Sequence, residues 1–219
     1  MLNQALTLSG KLRPRICLVL TAGGDAAENY AAYYEAFNVA GCDVSELKLF
    51  PQRSADPDER LCTSDLVWVG GGSLANLLSL WRLHSVDQAM RQAWESGVIL
   101  AGNSAGSLCW FQGGTTDSFG PTLAPVTNGL GLLPYANGVH HDTEAQRRPL
   151  LHSLIVDGVL APVGYATDDG VGIWFEGTEA TRVVSDTIVC ADEGPAAYRV
   201  ALINGDVTET RCAVGTSFT

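Results

Sequence analysis

The sequence has little positive charge and few charged residues of either sign. It contains 13 Lys and Arg against 24 Asp and Glu, which gives a formal net charge of −11 and a pI near 4.6. A chain this acidic has no general attraction for a phosphate backbone, so nucleic acid is not an expected partner. Charged residues make up only 17% and hydrophobic residues 46%, a balance that predicts a folded, globular protein.

Long apolar runs are also missing. The run from Ile16 to Leu20 ends shortly afterwards at Gly23 and Gly24, whereas a membrane-spanning helix needs about 20 apolar residues. Residues 1–10 lack the basic start and apolar centre of a secretory signal. We therefore expect no membrane partner and a cytoplasmic location.

Paired cysteines are absent as well. The six cysteines are Cys17, Cys42, Cys62, Cys109, Cys190 and Cys212. No two of them form a C-x-x-C pair and most lie in apolar segments, which argues against a zinc site and against a disulfide framework. Since no other group of residues has metal-ligand spacing, the sequence predicts buried thiols and no metal.

The first half of the chain has the pattern of an α/β fold. Apolar strand-like segments occupy residues 15–21, 44–50, 66–69 and 98–101. They alternate with helical patterns, whose starts are predicted at the capping residues Asp25, Ser73 and Ser85. Short connections of this kind imply parallel strands with helices on both faces, which is a three-layer doubly wound sheet. The length of 219 residues fits one domain over residues 1–219.

The second half contains one predicted helix, Thr143 to Ile155, among short alternating segments. The segments 165–167 and 171–175 flank Asp168-Asp-Gly170, which is typical of a hairpin turn. Further strands are expected at 181–184 and 198–203. We therefore expect antiparallel strands in the C-terminal part, and their exposed edges would allow a homodimer.

The strongest chemical signal is the G-N-S-A-G motif at residues 102–106. It directly follows a predicted strand and precedes a helical segment, and in that setting the glycines permit a tight turn that exposes a serine nucleophile. Ser104 is therefore a candidate nucleophile. The alternative is that Ser104 only caps the helix while its small neighbours pack against the sheet.

A serine nucleophile needs a base, and the chain has four histidines. His84 ends one predicted helix and His152 lies inside another, positions typical of structural or solvated histidines. His140 and His141 lie in a loop just ahead of a helix, where a sheet of this type holds its functional groups. For either residue, a simple turn capped by Asp142 is the alternative interpretation.

The third member of a serine triad is a carboxylate that orients the histidine. Asp117 is the first candidate because it lies in a glycine-rich loop, residues 113–120. Asp142, two residues after His140, competes with it. Asp168 and Asp169 are interpreted as turn residues.

A run of glycines, residues 70–72, ends the third predicted strand. The amides of Gly71 or Gly72 could form an oxyanion hole together with the Ala105 amide. A turn that merely allows close packing is the alternative. Because neither G-K-[ST] nor G-x-G-x-x-G is present, a nucleotide site is disfavoured and no cofactor is expected.

These motifs resemble the peptidase E family of serine dipeptidases, which is related to cyanophycinases and has a fold like that of class I glutamine amidotransferases. The matching stretches are residues 66–78, 101–111, 114–120 and 138–142, with 147–149. They follow the family's order over most of the chain. The resemblance implies Ser104 as the nucleophile, His140 as the base and Asp117 as the orienting acid. It also implies an oxyanion hole made by the amides of Gly71 or Gly72 and Ala105.

One departure from the family pattern concerns the substrate. Members specific for an N-terminal aspartate carry an arginine where this chain has Glu144. A bound aspartate needs a cation, for which Arg147, Arg148 or Arg199 would have to turn inward, and we take Arg147 and Arg148 as the candidate substrate-binding residues. The resemblance thus implies a serine peptidase for dipeptides or very short peptides, without strict preference for N-terminal aspartate. A small-molecule esterase or amidase, or a binding protein without turnover, are the alternatives.

Overall fold

A computed structural model describes residues 2–186 and 194–218. The chain divides into two compact units. The N-terminal unit is Ala5–Ser107, and the C-terminal unit is Leu108–Thr219 together with Met1–Gln4. The single domain expected from the length stays a prediction.

The N-terminal unit is built on a parallel sheet of four strands in the order β2-β1-β3-β4. The strands are β1 (Arg15–Val19), β2 (Asp43–Glu46), β3 (Leu66–Val69) and β4 (Ile99–Gly102). All of β3, and β1 beyond its first residue, are buried, as expected of apolar strands covered on both faces. The predicted parallel α/β arrangement is confirmed in this half.

Helices precede, connect and follow these strands. They are α1 (Leu2–Ser9), α2 (Ala27–Val39), α3 (Pro57–Cys62), α4 (Leu74–Leu83), α5 (Val86–Glu95) and the short α6 (Ala105–Leu108). Ser73 caps α4 as predicted, since its side chain accepts a hydrogen bond from the Asn76 amide at 3.3 Å. The sequence did not predict α3, whose cap is Asp56.

Two predicted helix caps form no cap bond with their side chains, although Ser85 does occupy the position before α5. The Asp25 carboxylate accepts hydrogen bonds from the amides of Leu49 and Phe50, at 2.6 and 3.0 Å, and α2 begins two residues later. Ser85 makes no side-chain cap bond. Both residues have left-handed backbones, with φ of 53° and 58°, whereas a capping residue normally has an extended one.

The C-terminal unit has a mixed sheet of six strands in the order β12-β11-β8-β7-β5-β6. The strands are β5 (Phe111–Thr116), β6 (Ala124–Val126), β7 (Leu133–Gly138), β8 (Val163–Thr167), β11 (Ala197–Ile203) and β12 (Asp206–Cys212). The central strands β5, β7 and β8 are parallel, and β6, β11 and β12 are antiparallel to their neighbours. The predicted antiparallel C-terminal part is confirmed.

The hairpin predicted around Asp168 to Gly170 is wrong. Strand β8 pairs with β7 and β11, so both of its edges are occupied. The following strand β9 (Val171–Glu176) pairs instead with β10 (Glu179–Ser185) in a separate two-stranded sheet. The turn therefore takes the chain out of one sheet and into another.

One long helix, α7 (Arg147–Val156), belongs to the C-terminal unit. Its residues Leu151, Leu154 and Ile155 pack in a core cluster with residues of β7, β8 and β11. The helix begins four residues later than predicted, because the Thr143 hydroxyl binds the Asp169 carboxylate at 3.0 Å and does not cap a helix.

The cysteines only partly fit the prediction of buried thiols. Cys17, Cys42 and Cys109 are buried, but Cys62 is exposed and Cys212 is half-buried. Cys190 lies outside the described residues. Among the helices that the structure describes, none is long and apolar enough to cross a membrane.

Candidate active site

Ser104 lies in the turn between β4 and α6, as the G-x-S-x-G motif predicts. Its backbone is left-handed, with φ of 52°, a conformation that costs free energy for any residue other than glycine. The Ser104 carbonyl accepts a hydrogen bond from the Ser107 amide at 2.9 Å, and the Asn103 carbonyl accepts one from Gly106 at 2.9 Å. These bonds hold the strained serine at the start of the short helix.

Two glycines of the motif let backbones approach where no side chain would fit. A Cβ built on Gly106 would lie 2.2 Å from the Val69 carbonyl oxygen, and one built on Gly102 would lie 2.3 Å from the Gly106 oxygen. The end of β3 therefore packs directly against the turn that carries Ser104. Glycine is required at positions 102 and 106 because any side chain there would clash with a backbone carbonyl oxygen.

The glycines after β3 lie beside the same turn. A Cβ built on Gly71 would be 3.2 Å from the Ser104 Cβ. Gly72 has φ of 137°, and a Cβ there would lie 2.2 Å from the Ala22 carbonyl oxygen. In the described residues neither glycine amide donates to a backbone acceptor, and Ala105 begins a helix, where amides have no intrahelical partner. The N-terminal unit thus gathers Ser104 and all three predicted oxyanion-binding residues.

In the C-terminal unit, His140 pairs with an aspartate that the sequence analysis assigned to a turn. The His140 Nδ1 atom lies 2.6 Å from Oδ1 of Asp169. His140 follows β7 and Asp169 follows β8, and these neighbouring parallel strands align Gly138 with Ala166. Because the carboxyl ends of parallel strands meet at one edge of a sheet, the two side chains come together there.

Asp169 is held from two further directions. Its Oδ2 accepts a hydrogen bond from the Thr143 hydroxyl at 3.0 Å, and its amide donates to Asp142 Oδ1 at 3.0 Å. A carboxylate held in this way can accept the Nδ1 proton of His140 and leave Nε2 as a base. The His140 side chain is 31% exposed, so a substrate can reach it.

The two acids considered from the sequence have other roles. Asp117 is exposed after β5, where its carbonyl accepts a hydrogen bond from the Gly120 amide, and in the described part of the chain its carboxylate does not bind His140. Asp142 binds the backbone of Asp169. Of the four aspartates considered from the sequence, Asp169 is the one whose carboxylate contacts the His140 ring.

A sequence signal for Asp169 did exist. Two acidic residues, Asp168 and Asp169, directly follow a buried strand, and this position at a sheet edge is common for functional residues. Asp168 is buried, and its Oδ2 accepts hydrogen bonds from the Tyr198 hydroxyl at 3.1 Å and the Ala196 amide at 2.9 Å. Burial and then the Asp168 charge raise the pKa of Tyr198, which keeps its hydroxyl a donor. The two aspartates do lie in a turn as predicted, but the sequence analysis took that turn for a hairpin and did not predict their partners.

Arg147 and Arg148, the predicted substrate-binding residues, are bound to groups of the protein itself. Arg147 is buried and donates to both Glu144 oxygens, at 2.8 and 3.2 Å, and to the Thr115 carbonyl at 2.9 Å. Arg148 donates to Glu209 at 3.0 Å. Neither guanidinium is presented as a ready cation for an acidic substrate.

His141 is fully buried and belongs to a different cluster from His140. It lies with His152 and Glu209, and the ligand atoms of these three residues are within 4.8 Å of one another. Burial would raise the pKa of Glu209, but hydrogen bonds from His141 and His152 and the Arg148 charge lower it. The sequence analysis expected no metal ligands, because these residues lie far apart in the chain.

The fold places the chain among α/β proteins that carry a G-x-S-x-G motif after a strand of a parallel sheet, and comparison with known proteins gives the family. The model of peptidase family S51 matches residues 2–183. The chain belongs to this family. Membership supports a peptidase, which is a hydrolase of peptide bonds, and confirms the resemblance to peptidase E.

Two relatives illustrate the similarity. An uncharacterized peptidase, YgaJ, of Bacillus subtilis is 38% identical over 204 residues, which cover 93% of this chain and 85% of that protein. A peptidase E of Shewanella denitrificans is 30% identical over 143 residues, which cover 61% of this chain and 60% of that protein.

Solved structures share the fold at low sequence identity. The crystal structure of a peptidase from an acI-B1 Actinobacterium has a TM-score of 0.70 at 17% identity and covers 99% of this chain and 90% of its own. A putative peptidase E from Listeria monocytogenes EGD-e has a TM-score of 0.54 at 14% identity, with 95% and 93% coverage. These likenesses confirm the α/β fold class.

Proposed function

We propose that this protein is a serine peptidase that hydrolyses dipeptides or very short peptides through an acyl-enzyme. Ser104 is the nucleophile, His140 the general base and Asp169 the acid that orients His140. The observation that carries this assignment is the 2.6 Å contact between His140 Nδ1 and Asp169 Oδ1. Family membership and the strained turn at Ser104 support it.

The proposed reaction has two halves. His140 Nε2 takes the proton of the Ser104 hydroxyl as its oxygen forms a bond to the carbonyl carbon of the peptide. The same nitrogen then gives that proton to the leaving amine as the peptide bond breaks. In the second half, His140 takes a proton from water, whose oxygen attacks the acyl group and releases Ser104 with its proton restored.

Asp169 fixes the tautomer that this proton transfer needs. Its carboxylate accepts the Nδ1 proton, which leaves the Nε2 lone pair available and stabilises the imidazolium that forms. The amides of Gly71 or Gly72 and of Ala105 are proposed to bind the oxyanion. Their support is the place of Gly71 beside Ser104 and the helix start at Ala105.

The proposed substrate has no required N-terminal aspartate. Glu144 stands where aspartate-specific relatives carry arginine, and it holds Arg147 in a salt bridge at 2.8 Å. A substrate carboxylate would meet Glu144 there and find Arg147 already neutralised. Neutral dipeptides are therefore the preferred class.

The proposal also covers the oligomeric state, the location and the partners of the protein. Strands β6 and β12 end the six-stranded sheet, and each leaves an edge to which a second copy could add. A homodimer and a cytoplasmic location stay predictions, and light scattering on the purified protein measures the first. Nucleic acid is no part of the proposal because the chain carries a charge of −11.

The deciding experiment compares hydrolysis of Asp-X, Ala-X, Leu-X, Gly-X and Met-X dipeptides by the wild type and Ser104→Ala. We expect cleavage of several neutral dipeptides, and a loss in Ser104→Ala of about 10⁴-fold or more in kcat. Ser79→Ala, which removes an exposed hydroxyl in α4, is the matched control and should behave as the wild type.

Three outcomes would each contradict a part of the proposal. Activity of Ser104→Ala close to that of the wild type would remove the nucleophile assignment. Cleavage of nitrophenyl esters without any dipeptide would favour a small-molecule esterase. Cleavage restricted to Asp-X would show that another cation serves the substrate and that the argument from Glu144 is wrong.

A further inference from the structure

A second cluster of polar side chains lies in the C-terminal unit, away from Ser104 in the sequence. The His141 Nε2 atom lies 3.0 Å from Glu209 Oε2, and the His152 Nε2 atom lies 2.9 Å from the same oxygen. The three residues come from the loop after β7, from α7 and from β12. Three separate elements thus bring two imidazoles and one carboxylate to a single point.

The hydrogen bonds of this cluster are mutually incompatible. Besides its contact with Glu209, the His141 Nε2 atom lies 2.9 Å from Nε of Arg148. An arginine N–H only donates and a carboxylate oxygen only accepts, whereas one imidazole nitrogen either accepts or donates. If His141 Nε2 carries the proton, two donors meet at the contact with Arg148. If Nε2 carries the lone pair, two acceptors meet at the contact with Glu209.

A cation between the three groups removes this conflict. It accepts the lone pairs of both Nε2 atoms and of the carboxylate oxygen, so no proton is needed between them. We propose that His141, His152 and Glu209 form a binding site for a divalent transition-metal cation, with zinc as the best match. The site goes beyond the peptidase reaction, in which none of these three residues takes part.

The ligand chemistry identifies the cation. Two imidazole nitrogens and one carboxylate oxygen are a ligand set that zinc takes in sites with an open fourth position. Tetrahedral zinc bonds of about 2.0–2.2 Å set neighbouring ligand atoms about 3.3–3.6 Å apart. The two measured separations, 2.9 and 3.0 Å, are a few tenths of an ångström shorter, so the side chains need to spread only slightly around a cation. Imidazole ligands suit cobalt and nickel as well, whereas magnesium and calcium prefer oxygen.

The exposed fractions of the three ligand side chains indicate from which side a cation can enter the site. The His141 side chain is fully buried, while those of Glu209 and His152 are 18% and 30% exposed. A cation therefore enters from the His152 side, where water can fill the fourth position. His141 is the buried ligand of the site, and His152 on α7 is the ligand nearest to solvent.

The guanidinium of Arg148 competes with a cation for the Glu209 carboxylate. Its Nη2 atom lies 3.0 Å from Glu209 Oε1, and its guanidinium lies 4.8 Å from the centre of the Tyr198 ring. The positive charge of Arg148 satisfies the carboxylate when no cation is bound. Cation binding requires Arg148 to withdraw, and its side chain, 42% exposed, has solvent beside it.

The test measures cation binding directly and needs no substrate. Protein freed of metal with a chelator is titrated with Co²⁺, and the visible absorption of the bound ion is followed, with Zn²⁺ as the displacing ion. Equilibrium dialysis with Zn²⁺ gives the stoichiometry. We expect one equivalent per chain, and a loss of affinity of at least about tenfold in His152→Gln and in Glu209→Gln.

A matched histidine serves as the control. His84 ends α4 in the N-terminal unit, so His84→Gln should bind Co²⁺ as the wild type does. Arg148→Gln should bind Co²⁺ more tightly than the wild type, because the competing charge is gone. A misfolded variant would not gain affinity, so this result separates the site from a loss of structure.

Three results would overturn the proposal. The first is the absence of saturable Co²⁺ or Zn²⁺ uptake by the wild type. The second is equal affinity in His152→Gln and the wild type, and the third is weaker binding in Arg148→Gln. Dipeptide hydrolysis by Ser104→Ala is independent of all three, so failure of this site and failure of the peptidase assignment are distinguishable.

Discussion

The left-handed backbones of Ser104 and His140 are the two most informative features at the scale of single residues. Their φ angles are 52° and 54°, in a region that residues other than glycine seldom occupy. Each residue lies two positions beyond the end of a strand in a parallel part of its sheet. Asp25, Ser85 and Asn204 share this backbone conformation, but Ser104 and His140 are the two that the proposed reaction needs to orient.

The identity of the orienting acid is testable with one pair of variants. Asp169→Asn keeps the size of the side chain but removes the charge, and an amide favours the wrong imidazole tautomer. We expect kcat/KM on a neutral dipeptide to fall by about 10²- to 10⁴-fold. Asp117→Asn should remain within a few fold of the wild type. The reverse pattern would restore Asp117 as the acid.

The close backbone approach at Gly106 predicts a large effect on stability. Gly106→Ala places a Cβ 2.2 Å from the Val69 carbonyl oxygen, so the turn or β3 must move. We expect a loss of more than about 3 kcal/mol in the free energy of unfolding. Gly158→Ala, where φ is 68° but no atom lies within 4 Å, should cost only about 1–2 kcal/mol. Equal losses in urea denaturation would contradict the steric explanation.

At the scale of whole elements, the strands were more predictable than the turns and caps. The buried strands β1 and β3 are visible as apolar runs, because strands covered on both faces need apolar side chains throughout. Asp25, Ser85 and Thr143 were assigned as caps on local spacing alone. Asp25 and Thr143 instead bind groups more than 20 residues away, which no local pattern reveals.

The same limit applies to the candidate site. The serine motif and its glycines are contiguous in sequence, so local reasoning predicted the strand, turn and helix start that carry Ser104. The partner of His140 depends on which strand lies beside β7, and that is a property of the sheet order. Asp169 was therefore missed, as was the cluster of His141, His152 and Glu209.

An ion pair between elements of the N-terminal sheet predicts a pH dependence of stability. Asp65, just before β3, binds the Arg15 guanidinium of β1 at 2.7 Å and Lys11 at 2.7 Å. The hydrogen bond from Arg15 lowers the pKa of Asp65 well below its usual value, although burial acts against it. A lowered carboxyl pKa contributes stability above the unfolded value, near pH 4, which is lost as the pH falls further.

Asp65→Asn should remove this contribution. We expect the variant to be less stable at pH 7 by about 1 kcal/mol, because the arginine and lysine partners are largely exposed. The difference from the wild type should shrink as the pH is lowered below about 4. Thermal unfolding of both proteins across this range gives the measurement, and a constant difference at every pH would refute the ion-pair explanation.

At the scale of the whole molecule, burial divides the thiols into two classes. Burial raises the pKa of Cys17 to about 12 and that of Cys109 well above its usual value, whereas Cys62 is exposed. Since the thiolate is the reactive form, a disulfide reagent at pH 8 should modify Cys62 rapidly in the native protein. Cys17 and Cys109 should react only after unfolding. Peptide mapping identifies the labelled sites, and early labelling of Cys17 would contradict the described core.

The position of Glu209 in β12 has an evolutionary consequence. The family match ends at residue 183, so it includes Ser104, His140 and both clustered histidines, but stops short of this strand. A relative can therefore differ at the position of Glu209 and still match the family model. We expect the peptidase activity and the cation site to be inherited separately. Relatives that lack an acidic residue at this position of β12 should be peptidases that do not bind the cation.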